Sequence, residues 1–393
     1  MTTIGDVKAE RGTGRREQIL AVAAELFRRR GYAEIGIDEI GKAVGISGPA
    51  IYRHFEGKQE LLSSVIGEYL QHLKEVWLER GGPGEPRAVL EAAIQSSIDS
   101  PDGYFVYAAQ RHQLEPAGRA RLESDRVEIR AAWQRLLATY GVELGHLDGT
   151  LKLATMQGML IHICLTRSAG KAARARIAQD MAERILSAEL PAANPQANPV
   201  ERPYVLQHVN KREAVLAAAT RLFRDSGFNS ATLKDIGAEV EISASAIHRH
   251  FESKEAILQL ILNRGTEQIR SVIDVSLRTC RTPRQAVRDM VGRYAVLFVE
   301  NSDLFSISFN LLPDSEEGVV GTRKKRRKTN LEEVAAKLFD SCPDVTMSEA
   351  SVRAGAMFSM LGQAVNRPAL LARPELAAEL TIISREAMLI GGP

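Results

Sequence analysis

Several kinds of chemistry are excluded by what this sequence has little of. Its 393 residues include three cysteines, Cys164, Cys280 and Cys342, set far apart. Neither a disulfide framework nor a cysteine-based zinc site is expected from so few, so widely spaced thiols. No stretch of about 18 uncharged apolar residues occurs, so no membrane span is expected. The best candidate, Met156 to Leu165, is too short and reads as a buried helix. The opening MTTIGDVKAERGTGRR has no apolar core, which argues against a signal peptide. The expectation is a soluble protein of a reducing, cytoplasmic compartment. The sequence contains no GxSxG, HExxH, phosphate-loop or dinucleotide pattern, so an enzyme is disfavoured and no cofactor or metal is expected. Net charge is only +2. That balance excludes a polybasic tail or an acidic disordered chain, and it disfavours an architectural protein that coats DNA without sequence preference.

Aromatic residues make up 5% of the chain, while alanine and leucine abound, a composition that leans to helix. The dominant feature is a repeat. The segment beginning at Arg16 recurs at Arg212, so that Phe27 meets Phe223, Gly31 meets Gly227, and IYRHFEGK meets IHRHFESK. From Arg16 to Leu62 about 22 of 47 positions are identical without a gap. The unit is far longer than a solenoid repeat, which points to duplication of a whole protein. Between the copies lies PAANPQANPVERP, Pro191 to Pro203, whose four prolines forbid helix or strand and predict a tether or spacer.

Apolar spacing is helical almost everywhere. Ile19, Leu20, Ala23, Leu26 and Phe27 form one stripe, stopped by Gly31; Ile37, Ile40, Gly41 and Val44 form a short second helix, ended by Gly45. Ser47 is placed to cap a third helix, with Pro49 in its first turn. A long helix follows, from Leu61 to Trp77. Further helices are expected near 86–99, 103–114, 119–140, 148–168 and 171–190, and in the second half near 254–279, 284–300, 302–311, 330–341, 347–366 and 373–390. The fold class is all-α.

Two short helices joined by a tight glycine turn, the second led by serine, form a helix-turn-helix pattern. Its second helix enters the major groove with its N-terminal residues leading, and small residues there allow close approach to base edges. Those residues are Ser47, Gly48, Pro49 and Ala50, and in the second copy Ser243, Ala244, Ser245 and Ala246. The segments ILAVAAELFRRRGY and IDEIGKAVGISGPAIYRHFEGKQELL, with their counterparts VLAAATRLFRDSGF and LKDIGAEVEISASAIHRHFESKEAIL, resemble the tetracycline-repressor (TetR) family of bacterial transcription regulators. The resemblance covers about a quarter of the chain directly. It implies two tandem TetR-like units, each a three-helix helix-turn-helix domain followed by a helical ligand and dimerisation domain. The expected boundaries are 1–57 and 58–190, a linker at 191–206, then 207–253 and 254–393.

The resemblance also implies residue roles. The aromatic of YRHF and the lysine that follows it touch DNA phosphates in such regulators, which carries over to Tyr52 and Lys58, and in the second copy to Lys254, with His248 replacing the tyrosine. Arg53, His54 and Arg249 join the candidate DNA-binding set, as do Arg15 and Arg16 in a basic N-terminal arm with Lys8 and Arg11. Phe55 and Phe251 are read as core, and His54 and His250 as structural rather than metal-binding. Glu241 stands where the first copy has Gly45, so a left-handed residue costing about 1 kcal/mol and a carboxylate close to DNA are expected there. Arg11 to Lys58 holds nine basic and six acidic residues, whereas Gln207 to Lys254 holds seven and six. The second head is therefore expected to bind DNA more weakly than the first.

Family members pair through their last two helices, so 148–190 and 347–390 are expected to pair within the chain as a pseudo-dimer on an imperfect palindrome; a homodimer with four heads is the rival. The expected partners are an operator duplex and a small effector, lipid-like or an acyl-CoA. Candidate effector-binding residues are Tyr104, Phe105, Tyr107, Met156, Met159 and His162, with Cys164 beside them. In the second unit they are Tyr294, Phe298, Phe305, Phe309, Met357 and Phe358, with Met360. Packed core is the competing reading for each. The run RKKRRK, Arg323 to Lys328, reads as a solvated loop, or as a cradle for a phosphorylated ligand or DNA.

Overall fold

Residues spaced for one apolar face per helical turn dominate the chain, and every regular element of the computed structural model is helical. It describes residues 14–191, 210–228, 230–310 and 319–391, with the backbone alone at 308–310 and 319–327. Among the described residues there is no strand, and no helix is long and apolar enough to cross a membrane. Lys8 and Arg11, the linker from Ala192, and the side chains of Phe309 and of Arg323 to Arg327 lie outside the described residues.

The chain divides into two compact units, Met1–Leu136 and Leu137–Pro393. The first begins with α1 (Arg15–Arg30), α2 (Ile37–Val44), α3 (Gly48–Ile51) and α4 (Lys58–Glu79). It continues with α5 (Ala88–Asp99), α6 (Pro101–Gln110), α7 (Pro116–Arg121) and α8 (Glu123–Thr139). Ile19, Leu20, Phe27, Ile40, Ile51 and Phe55 close the head's core, and Leu61, Val65, Tyr69 and Trp77 line the buried side of α4. Burying each such large side chain contributes about 1.5–3 kcal/mol.

The second unit opens with α9 (Leu147–Leu165) and α10 (Lys171–Ser187). The second head follows as α11 (Lys211–Asp225), α12 (Leu233–Glu239) and α13 (Ala244–Ile247), leading into α14 (Lys254–Thr279). Then come α15 (Pro283–Glu300), α16 (Ser302–Asn310), α17 (Val319–Ser341), α18 (Met347–Val365), α19 (Pro368–Leu371) and α20 (Leu376–Ala387).

Three boundaries differ from expectation for local reasons. The helix expected near 119–140 is two helices, because Leu122 caps α7 before α8 begins. The helix expected from 330 starts at Val319, so the RKKRRK run is helical in its backbone rather than a loop. The last helix expected from 373 begins at Leu376, because Pro368 starts the separate turn α19 and Pro374 interrupts the path between them.

The centre of the second unit is a bundle of α9, α10, α18 and α20, in which α9 lies along α18 and α10 along α20. Two glycines set the closeness of the crossing. A Cβ at Gly158 would run into the backbone of Ser359 and Met360, and one at Gly355 would run into the His162 ring. Charged groups then fix the pairing. The Arg353 guanidinium, 1% exposed, donates to Glu349 Oε1 at 2.8 and 3.0 Å, to Asp180 Oδ2 at 2.5 Å and to the Ala387 carbonyl at 2.7 Å. Arg176 donates to the second oxygen of Glu349 at 2.6 Å. Arg373 joins Asp148 of α9 at 2.7 Å while holding Glu379. Lys152 and Arg353 each end on carbonyls at the close of a helix, Leu186 and Ala188 for the first and Ala387 for the second. A cation there also meets the negative end of the helix dipole.

Burial alone would raise the Asp180 and Glu349 carboxyls, but hydrogen bonds from Arg353, Arg184 and Arg176 outweigh it and hold both below the usual carboxylate range. Their contribution is therefore full above the unfolded values near 4 and is lost as pH falls through the lower folded values. Arg353→Ala strands two partly or fully buried carboxylates. It is expected to cost about 3 kcal/mol in urea unfolding at pH 7, with a smaller acid-induced loss than the parent chain shows between about pH 5 and 2. A cost under about 1 kcal/mol would mean the network is dispensable.

Candidate nucleic-acid interface

Both heads use the same local devices. In the first, Gly45 closes the turn at φ 79°, and its N–H bonds back to α2. Glu241 takes that place in the second and is held at φ 55°, the left-handed region that disfavours a side chain. Close approach of the two short helices needs glycine as well. A Cβ at Gly41 would meet the Gly48 nitrogen at 2.9 Å, and one at Gly237 would meet the Ile242 carbonyl oxygen at 2.5 Å.

The start of each helix separates the copies. The first head opens its helices at Gly14, Gly36, Ser47 and Gly57, none with a side-chain cap. The second opens them at Asn210, Thr232, Ser243 and Ser253, each accepting from a backbone N–H of the first turn. Ser47 therefore holds the cap position without capping: the Ala50 N–H bonds the Ser47 carbonyl at 2.9 Å instead. Ser243 does both, with its Oγ 3.1 Å from the Ala246 nitrogen.

The exposed strip of the first head carries Ser47, Pro49, Tyr52, Arg53 and His54, with Ala50 half-buried. Tyr52 is 58% exposed, unusual for a large aromatic. The matching strip carries Ser243, Ser245, His248, Arg249 and His250, with Ala244 and Ala246 half-buried. Glu239 and Glu241 stand exposed beside it, where the first head has Ala43 and Gly45.

Four expected contact residues are placed differently. Gly48 is buried, and its small size serves α2, since a Cβ would strike the Asp38 carboxylate. Lys58 stacks over the Tyr32 ring at 4.3 Å and donates to the Ala33 carbonyl at 3.3 Å. Burial lowers its pKa, against an opposing effect of Glu34. Lys254 stacks over Phe228 at 4.5 Å and donates to the Phe228 and Ala231 carbonyls at 2.8 and 3.0 Å. Both lysines thus clasp the loop before the helix-turn-helix of their own head, because helix α4 or α14 starts directly over its carbonyls. Arg16 is also drawn inward, over the Phe55 ring at 4.8 Å and onto Ser64 Oγ at 3.3 Å, and Arg212 repeats this over Phe251 at 5.2 Å. Arg15 remains on the surface, bonded to Gln18.

The expected effector residues are largely packed. Tyr104 and Tyr107 stand 5.5 and 5.3 Å from the Tyr69 ring, and Phe105 is buried. Met156 and Met159 are buried, and His162 lies in the seam between α9 and α18 against Gly355 rather than on a cavity wall. Phe298 stacks on Phe305 at 3.9 Å, Tyr294 meets Phe358 at 4.9 Å, and Met357 and Met360 are fully buried. Burial pushes the Tyr294 hydroxyl far above its usual range.

A link between each head and its following bundle was not foreseen. Arg28 of α1 bonds Asp102 of α6, and Arg224 of α11 bonds Asp303 of α16. Gln110 of α6 adds a 2.6 Å bond to the Phe27 carbonyl. Arg28 and Arg224 align in the repeat, but their partners are shifted by five more residues, which hid the correspondence. Glu241→Gly relieves the left-handed strain and is expected to stabilise the chain by about 1 kcal/mol. Urea unfolding followed by circular dichroism checks this, and a loss of stability would show that the Glu241 side chain makes a compensating contact.

Two segments of this chain, residues 19–65 and 215–261, match the family model of bacterial regulatory proteins, tetR family. The chain is 27% identical over 146 residues to the HTH-type transcriptional repressor KstR2 of Rhodococcus jostii (strain RHA1), covering 36% of this chain and 69% of that protein. It is 42% identical over 114 residues to the HTH-type transcriptional activator FasR of Mycolicibacterium smegmatis (strain ATCC 700084 / mc(2)155), covering 28% of this chain and 52% of that one. Among solved structures it is similar to a TetR-family transcriptional regulator from Bordetella parapertussis 12822, with 18% identity and a TM-score of 0.40 over 47% of this chain and 95% of that one.

Proposed function

We propose that this chain, which belongs to the tetR family of bacterial regulatory proteins and carries two tandem units of it, is a ligand-released repressor whose two units act as an intrachain pseudo-dimer on one operator. Its relatives are transcriptional regulators rather than enzymes. The observation that carries the pseudo-dimer reading is the bundle of α9, α10, α18 and α20. These are the last two helices of each repeat, the pair through which such regulators dimerise, and here both pairs lie in one compact unit.

The two reading helices would enter successive major grooves, about 34–36 Å apart. Tyr52, Arg53 and His54 would face one half-site, and His248, Arg249 and His250 the other. Their neighbours differ, Pro49 against Ser245 and Gly45 against Glu241, so the half-sites need not match. Glu239 and Glu241 would repel phosphate at the second. Release would run through the Arg28–Asp102 and Arg224–Asp303 pairs, because an effector that shifts α6 or α16 pulls on the head by its ion pair. An apolar or acyl effector suits the aromatic group of Tyr294, Phe298, Phe305 and Phe358 in the second unit, provided those rings part to admit it.

Selection of bound duplexes from random DNA tests the sequence-specific reading. An imperfect palindrome is expected, and binding of random competitor within about tenfold of the selected site would favour an architectural protein instead. On the selected duplex, Arg53→Ala is expected to weaken binding by about tenfold or more, and Arg249→Ala by less. An equal or larger loss for Arg249→Ala would reverse the assignment of the stronger head.

A further inference from the structure

The two repeats differ sharply at one place, the junction where the first helix of the head meets the long helix of the body. In the first unit a cleft of about 390 Å³ opens between α1, α4 and the turn from α5 to α6. Leu20, Ala24, Val65 and Tyr69 form its apolar floor, and Glu17, Glu68, Asp99 and Asp102 bring carboxylates to it. Its volume falls within the range of small-molecule sites.

The second unit has the same junction, built and filled. Glu213 replaces Glu17 in register, but Arg264 stands where the first repeat has Glu68. The Arg264 guanidinium grips Glu213 with two bonds of 2.6 and 2.7 Å. Gly265 stands in place of Tyr69, and Leu304, the residue after Asp303 as Gly103 is the residue after Asp102, packs over it. One repeat thus supplies its own cation and its own apolar plug. The other places two carboxylates on facing helices, with Gly103 and Tyr69 leaving room between them. Burial and the charge of Glu17 both raise the Glu68 carboxyl, and Arg16, 4.0 Å away, only partly offsets them.

We propose that this cleft binds an organic monocation, an ammonium or amidinium carried on a small apolar body, with Glu17 and Glu68 as its counter-ions in the position that Arg264 occupies in the second repeat. The apolar body would rest on Leu20, Val65 and Tyr69. The charge would also approach Asp102, the carboxylate that holds Arg28 of the head, so the bound cation would compete with the head for its anchor. That last consequence, loosening of the first head on DNA, rests on the regulator function proposed above; binding itself does not.

Calorimetric titration of the full chain without DNA separates the two. Benzylammonium is the probe and benzyl alcohol its neutral counterpart, at a pH near 7.5. One benzylammonium per chain is expected, bound at least about tenfold more tightly than the alcohol. Glu68→Arg, which recreates the second repeat's pairing with Glu17, is expected to weaken benzylammonium at least about tenfold with the unfolding midpoint unchanged. Glu68→Gln, closer in shape, should weaken it in the same direction and serves if the arginine variant does not fold. Equal affinity for the alcohol, undiminished binding in both variants, or no binding at about 1 mM would overturn the proposal. Release of DNA is then read separately by adding the probe to the complex with the selected duplex.

Discussion

The Arg353 guanidinium is the interaction on which the larger unit most depends. It is almost wholly removed from water, and a charge so placed is tolerable only when every donor is used. It is satisfied by Glu349 of its own helix, by Asp180 of α10 and by the last turn of α20. Three of the four bundle helices therefore meet at one side chain. The fourth, α9, is seated by shape, through Gly158 and Gly355, and by Arg373 on Asp148. Hydrophobic burial supplies most of the bundle's stability, but it is non-directional. The ionic contacts are specific: Arg353 and Arg373 of the second repeat meet Asp180 and Asp148 of the first, and these partners are not interchangeable. Two copies of the first repeat's helices would set those aspartates against residues of their own kind.

Seen from that bundle, the two repeats have diverged in opposite directions at their heads. The first keeps the glycine turn and an exposed tyrosine, and leaves its helix starts without side-chain caps. The second has gained a cap at each helix start, a glutamate in a strained turn, and a salt bridge across the head–body junction. Caps and salt bridge stabilise; the glutamate costs about as much as one cap returns. The second head is thus a well-fastened domain with a less favourable electrostatic face toward phosphate, and the first a looser domain with a more basic one. Each keeps the arginine–aspartate pair to its body, so both retain a mechanical route by which the body can act on the head.

Much of this was legible in the sequence. The ungapped repeat from Arg16 to Leu62 located both heads, and helical periodicity placed α4, α14 and α18 within a residue or two. The left-handed backbone at Glu241 followed from its alignment with Gly45. What escaped was long-range or dual-purpose. Lys58, Lys254 and Arg16 are basic residues near a binding face, yet each is turned inward by a local carbonyl or ring that only the fold brings close. Met156, Met159 and His162 have the composition of a pocket wall, but apolar spacing looks the same whether a helix faces a cavity or another helix, and here it faces α18. The Arg28–Asp102 pair was invisible because its two repeats differ by an insertion between arginine and aspartate.

The central claim is that one chain supplies both halves of a dimeric reader. The mass of protein on a single selected duplex tests it most directly, by light scattering or sedimentation of the complex. One chain of 43.1 kDa per duplex is the predicted result. Two chains per duplex, with four heads engaged or held in reserve, would contradict it.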